Sequence, residues 1–368
     1  MPKKKLHIAQ ISTADHPIAI DQNKAIYSHI AQLAEGFSSL GHLVTLFGHK
    51  DSNTSAKIHD VQLNYPEDLA NSLTRYEQWS LISDCFLEAQ KGTFDVIHSH
   101  MTIMTGFFSR LEKETPTLIS IHSPIEDWMK PILLKHKDEK YISFSLAQRE
   151  QLPELNWYAN IYHGIDTELF AFNENPDDYI LFLGRITHDK GVHIAIQSCL
   201  EAGENLKIAG RSYGSETYWH EQIEPYINGK NIRYIGEVSL EEKIPLIQNA
   251  KAVVFPTFYR EAFGYVLIEA MSCGTPIIAF PNGSVTEIVK DGKTGFLVKS
   301  QEEMVEALKK IDTIDRNECR KRAELFFSQK KMIKHYESVY QRVIQENEFK
   351  KNKKHKIAKT AKGDNKRF

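Results

Sequence analysis

The chain has 368 residues, 41% of them hydrophobic and 26% charged, with a formal net charge of −2. That length suffices for two domains with separate cores, and the composition is that of a soluble globular protein and not a disordered or fibrous one. No apolar run approaches the roughly 20 residues that span a bilayer, and the scattered Cys85, Cys199, Cys273 and Cys319 suit neither a disulfide framework nor a paired zinc site.

In chain order, Met1-Pro-Lys-Lys-Lys5 passes directly into the strand-like Leu6–Ile11 with no signal-peptide apolar stretch, so a cytoplasmic location is expected. Ile26, Ile30, Leu33, Phe37 and Leu40 recur at helical spacing, and Gly41 caps that helix. Strands are predicted at His42–Phe47, Asp95–His100, Thr117–His122 and Tyr141–Ser145. A second series follows at Tyr179–Gly184, Leu206–Gly210, Ile232–Val238, Ala252–Pro256, Pro276–Phe280 and Phe296–Val298. Strands alternating with helical periods indicate parallel sheets covered by helices, an α/β class, and two such series indicate two Rossmann-like domains. The expected division is 1–162 and 163–329, broken at the turn-rich segment around Ile161–Phe170, with a helix of about 330–348 returning to the first domain. Met332, Ile333, Tyr336, Val339, Tyr340 and Val343 form its apolar stripe. Residues 349–368 hold nine Lys or Arg against Asp364 alone, leaving the body at net −10, so nucleic-acid binding is not expected of it. That tail lacks apolar periodicity and reads as a disordered basic segment that either meets an anionic membrane surface or merely solubilises the chain.

The stretch Glu261-Ala-Phe-Gly-Tyr-Val-Leu-Ile-Glu269 carries the strongest chemical signal. A carboxylate precedes the turn Phe263-Gly264, and Tyr265 opens a helix whose free N–H groups suit an anion. Glu269 comes four residues after Tyr265, on the same face. Upstream, Gly184-Arg185-Ile-Thr-His-Asp-Lys190 follows a strand end, where ligands of open parallel sheets collect. Arg185 and Lys190 there would form a cationic receptor for a diphosphate. Gly210-Arg211 and Gly236-Glu-Val238 also end strands. In the first half, His98-Ser-His100 and His122-Ser-Pro124 end neighbouring strands; a metal reading of the three histidines lacks a completing carboxylate or cysteine. Dinucleotide, P-loop and zinc-protease motifs are all missing from the sequence, as is any Asp-x-Asp.

The Glu261–Glu269 run, paired with Arg185 and Lys190, resembles the Glu-x7-Glu signature of the retaining GT-B glycosyltransferases of large family 4. The match extends over nearly all of residues 1–345. Asp51–Ala56, Phe94–His98, Leu155–Trp157, His163–Asp166 and Ser284–Glu287 are similar to the avilamycin-type subgroup. The resemblance implies two domains facing across a cleft, the first binding the acceptor and the second a nucleotide-sugar. It implies metal-independent transfer with retention, no cofactor, and a saccharide, lipid-linked or small-molecule acceptor. It further implies that Glu261 orients sugar hydroxyls and Glu269 holds the ribose. Arg185 and Lys190 would stabilise the departing diphosphate, with Gly184 and the Phe263-Gly264-Tyr265 turn at its seat. Gly210, Arg211 and Val238 would approach base and ribose; His122 would position the reacting centre beside His100. One departure stands out: the family's Gly-Gly pair at the first long helix is replaced by Lys24-Ala25. A GT-B enzyme of another reaction type, such as a sugar-nucleotide epimerase or phosphorylase, or a catalytically silent nucleotide-sugar-binding protein, are the competing expectations.

Overall fold

The computed structural model describes residues 4–20, 25–61, 70–212 and 216–364. Thirteen strands are described: β1 His7–Ile11, β2 Leu43–Phe47, β3 Lys57–His59, β4 Val96–Ser99, β5 Thr117–Ser120, β6 Lys140–Ser143, β7 Trp157–Asn160, β8 Ile180–Leu183, β9 Leu206–Ala209, β10 Ile232–Gly236, β11 Ala252–Phe255, β12 Ile277–Ala279 and β13 Gly295–Leu297. They form a seven-stranded sheet ordered β3-β2-β1-β4-β5-β6-β7 and a six-stranded sheet ordered β10-β9-β8-β11-β12-β13. Every strand pairing within them is parallel.

The period of two decides which side chains meet which layer. On the first sheet Ile8, Val96, Leu118 and Ile142 face one core layer, and their neighbours Ala9, Ile97, Ile119 and Tyr141 face the layers behind. The helix Ala25–Ser39 covers the first layer through Ile30, Leu33 and Phe37 and stops where Gly41 adopts φ +82°. The helix Gln329–Asp364 packs on the same layer through Met332, Ile333, Tyr336, Val339, Tyr340 and Val343, so the last helix closes the first domain's core. Two chain crossings join the domains side by side. The Ile165 N–H donates to the Phe327 carbonyl at 2.9 Å, and the Gln329 N–H to the Ile165 carbonyl at 2.8 Å.

Two expectations change. The strands β3 and β7 are additional edges of the first sheet, too short or too polar in pattern to stand out in sequence. Over Phe349–Asp364, where an irregular segment was expected, the last helix continues. Lys, Glu, Gln and Ala are strong helix formers, no proline intervenes before Gly363, and extending a helix already nucleated by packing adds a bond per residue fixed. Lys351 pairs with Glu114 at 3.0 Å as the helix passes the edge of the domain. Among the described residues no helix is long and apolar enough to cross a membrane.

Candidate active site in the interdomain cleft

In each sheet the strand order runs outward in both directions from a central pair, β1 and β4 in one, β8 and β11 in the other. Ligands of open α/β sheets bind beyond the carboxyl ends of such a pair. A cleft of about 540 Å³ lies there. Its first-domain wall carries Ala25, Ser28 and Gln32; the second-domain wall carries Gly184, Arg185, Gly210, Arg211, Val238, Tyr265 and Glu269. A side cavity of about 200 Å³ adds Lys190, Glu261, Phe263 and Gly264, with Gly184, Arg185 and Tyr265 lining both spaces. Thus the two separated segments, 184–190 and 261–269, meet as neighbouring walls. Lys24 lies outside the described residues; Ala25 begins the first helix, exposed at the cleft.

The strand ends behind this wall touch closely. Gly210 sits at φ +141°, and a Cβ on it would lie 1.9 Å from the Gly184 carbonyl oxygen. No larger residue fits without parting β8 from β9. Gly264, which lines the side cavity, also packs closely within its own turn. Its φ of −102° is ordinary extended backbone, and an added Cβ would meet Leu267 Cδ1 of its own helix at 2.9 Å. The absence of a side chain thus also lets the turn pack against the helix Tyr265–Ser272.

Each carboxylate of the Glu261–Glu269 pair carries its own lysine. Lys190 Nζ donates to Glu261 Oε1, while its ammonium stands 4.8 Å from the Tyr259 ring centroid. Lys243 Nζ donates to Glu269 Oε1 at 2.7 Å. Both pairs are mostly shielded from water, the regime in which a charge is costly without its partner. Burial first, then the neighbouring Glu261 carboxylate, push the Tyr259 hydroxyl upward in pKa. Arg185 is exposed at the junction of the two spaces. Lys243 was not anticipated. Its signal was the capping box Ser239-x-x-Glu242, which starts the helix Leu240–Gln248 just after β10 and sets Lys243 at the cleft.

His100 and His122 line neither space. They belong to a cluster of five histidines, with His29, His98 and His163, where the domains meet. His100 Nδ1 lies 2.9 Å from His122 Nε2, and His29 Nδ1 lies 3.0 Å from His163 Nδ1. The last helix enters the cluster: His98 is hydrogen-bonded to the Tyr340 hydroxyl at 2.6 Å and to Ser120 Oγ at 2.8 Å. The His163 ring stacks on Phe144 at 3.9 Å and stands 4.6 Å from Tyr265 and 5.0 Å from Phe263, which ties the cluster to the cleft wall. Burial holds His98 and His122 down to about 3, and lowers His29, His100 and His163 well below the usual imidazole range. The rings contact one another and nearby hydroxyls. Among the described residues His100 Nε2 is buried without a hydrogen-bond partner, and no group of three or more His, Cys, Asp or Glu is set to hold a metal ion.

Two parallel-sheet domains with a cleft at their carboxyl ends are the GT-B architecture of glycosyltransferases. Residues 27–169 match the glycosyltransferase family 4 domain and residues 165–326 the glycosyl transferases group 1 domain, so together nearly the whole described body is matched, and the chain belongs to this glycosyltransferase family. An uncharacterized glycosyltransferase of Methanocaldococcus jannaschii is 27% identical over 248 residues, 62% of this chain and 67% of that protein. The capsular polysaccharide biosynthesis glycosyltransferase CapM of Staphylococcus aureus is 30% identical over 240 residues, 58% of this chain and 61% of that protein. The chain thus spans about three fifths to two thirds of these relatives. Among solved structures, AviGT4, a glycosyltransferase involved in avilamycin A biosynthesis, aligns with a TM-score of 0.67 at 21% identity, covering 92% of this chain and 98% of that one. Anabaena HepE in complex with UDP and glucose aligns with a TM-score of 0.70 at 15% identity, covering 90% and 98%.

Proposed function

We propose that this chain is a retaining, metal-independent hexosyltransferase that moves a sugar from a nucleotide-sugar to a hydroxyl acceptor. Family membership supports the transfer itself. The observation that carries the finer reading is the pair of lysine–carboxylate contacts, Lys190–Glu261 and Lys243–Glu269, set one on each side of Tyr265 in connected spaces. A nucleoside in the larger space would be held by Glu269 at the ribose, with Gly210, Arg211 and Val238 beside it. The diphosphate would lie across Gly184 and the start of the helix Tyr265–Ser272, facing Arg185. Lys190 would turn from Glu261 to the phosphate, freeing that carboxylate to accept from the sugar hydroxyls. The bond from the anomeric carbon to the phosphate oxygen breaks, the bond to the acceptor oxygen forms on the same face, and the acceptor proton passes to the departing phosphate. His122 and His100 would act from behind the reacting centre, holding its wall as neutral rings. HepE, solved with UDP and glucose, and CapM, named for capsular polysaccharide biosynthesis, favour a uridine donor and a glycan product as the first substrates to try.

The decisive experiment is release of nucleoside diphosphate from a panel of nucleotide-sugars, with the anomeric configuration of the product read by NMR. Retention and full activity in EDTA are expected, because Arg185, Lys190 and Lys243 supply the positive charge within the protein. Loss of activity in EDTA that a divalent ion restores would overturn the metal-independent part, and an inverted product would overturn retention. Binding is screened first by thermal shift, since a ligand at 100 times its dissociation constant stabilises by about 2.7 kcal/mol.

We also propose that the basic extension of the last helix rests on an anionic membrane surface. A Lys or Arg at such a surface contributes about 1 kcal/mol, weakening with salt. Deleting 349–368 is expected to leave turnover on a soluble acceptor unchanged while reducing sedimentation with anionic vesicles at low salt. Equal partitioning of the full-length and shortened proteins would leave the segment a solvated helix end.

A further inference from the structure

The carboxylate of Glu287 lies in the second domain, yet its hydrogen-bond partners include the first. Its Oε2 accepts from the Leu146 N–H at 2.8 Å and its Oε1 from the Ala147 N–H at 2.9 Å; both donors open the first-domain helix Leu146–Arg149. The Tyr162 hydroxyl, at the crossing between domains, donates to the same Oε2 at 2.9 Å. Glu287 itself sits in the one-turn helix Val285–Ile288. Arg322 fixes the end of that turn, its Nη2 donating to the Glu287 carbonyl at 2.7 Å and its Nε to the Ile288 carbonyl at 2.6 Å.

The other end of this short element holds the backbone of Glu261. The Ser284 N–H donates to the Glu261 carbonyl at 3.1 Å, and Gly283, at φ +59°, lies so close that an added Cβ would stand 2.4 Å from the same oxygen. Asn282 Nδ2 extends the contact by donating to the Thr257 carbonyl at 2.7 Å. Residues 282–288 therefore touch the carboxylate-bearing loop at one end and the first domain at the other. A carboxylate that accepts two neighbouring amides is a charge-assisted contact, stronger than a neutral one and directional.

The geometry points to Glu287 as a positioning residue: a clasp that sets the approach of the two domains and, through Ser284 and Gly283, places Glu261 relative to the acceptor side. This role rests on the transferase reading, but the clasp itself is testable apart from it. Displacing a reacting group by about 1 Å costs on the order of 10²-fold in rate. Glu287→Ala is expected to lower turnover by about that factor while leaving the affinity for nucleoside diphosphate within about twofold, because the nucleotide wall is built wholly of other residues. Glu287→Gln keeps one acceptor oxygen and is expected to restore part of the turnover; Tyr162→Phe, losing one of three donors, is expected to cost less than Glu287→Ala. Domain approach is read independently of activity by spin-label distances between Leu87→Cys and Leu200→Cys, exposed positions on different domains, since the four native cysteines are buried. The distance distribution is expected to broaden in Glu287→Ala and to narrow again in Glu287→Gln. An unchanged distribution, or a loss of nucleotide affinity as large as the loss of turnover, would overturn the clasp. If no nucleotide-sugar is ever turned over, the distance measurement still decides it.

Discussion

Lys190→Ala is expected to lower turnover by about 10²–10³-fold, the usual cost of removing one preorganised electrostatic group aimed at developing charge. Lys190 is held ready by Glu261 and needs only to exchange one anionic partner for another. Arg185→Ala is expected to fall in the same range, because it lines both connected spaces. The carboxylates are expected to divide. Glu261→Ala should lower turnover while sparing the affinity for free nucleoside diphosphate; Glu269→Ala should weaken that affinity. Glu269 carries a complication that its buried setting makes plain. Its removal strands Lys243, whose side chain is 15% exposed, and breaking such a pair costs about 3 kcal/mol, the lower end for buried pairs. Titration of each variant with nucleoside diphosphate separates the roles, with the double variant Glu269→Gln and Lys243→Met as the control for lost stability. Equal loss of affinity in the Glu261 and Glu269 variants would refute the division.

The parts of this site that were legible in sequence are those fixed by short-range rules. Strand ends place Gly184-Arg185 and Gly210-Arg211 at the carboxyl edge of a parallel sheet, and Glu269 follows Glu261 by eight positions whatever surrounds them. Both regularities survive folding because they depend on local geometry. Partner choice does not. Lys243 reaches Glu269 and Glu287 reaches Leu146 only because distant segments pack together, and one chain offers no periodicity from which such pairs can be read. The histidines illustrate the same limit. His98, His100 and His122 were visible as a group at strand ends. His29 on the first helix and His163 at the domain crossing complete that group through tertiary packing alone. The tail went astray for a different reason. Without an apolar stripe a segment gives no packing signal, yet its intrinsic propensity lets a helix nucleated at Gln329 continue along it.

The buried histidine cluster is expected to make the chain's stability sensitive to acid. His98 and His122 are held down to about 3 by burial, against 6.5 for an unfolded imidazole, and the other three lie well below that value for the same reason. A base with a lowered folded pKa contributes its full stabilisation above 6.5, where both states are neutral. Below 6.5 the unfolded chain takes up protons that the folded chain refuses, so stability falls as pH drops and continues to fall toward about 3. Each such histidine removes about 1.4 kcal/mol per pH unit once its unfolded form is protonated, or roughly 2 kcal/mol between pH 7.5 and 5. Several acting together compete with the 5–15 kcal/mol that holds a typical domain folded. Ordinary carboxylates remain largely ionised down to pH 5, so the imidazoles dominate this window. Urea unfolding midpoints at pH 7.5, 6.5, 5.5 and 5 are therefore expected to drop steeply, with the first domain and its clamping helix losing structure first. In His98→Asn the drop should be shallower, because one refused proton is gone while an amide can still meet Tyr340 and Ser120. A midpoint that stays level from pH 7.5 to 5 would mean that the folded cluster accepts its protons, and the neutral, mutually bonded rings described here would not be its state in solution.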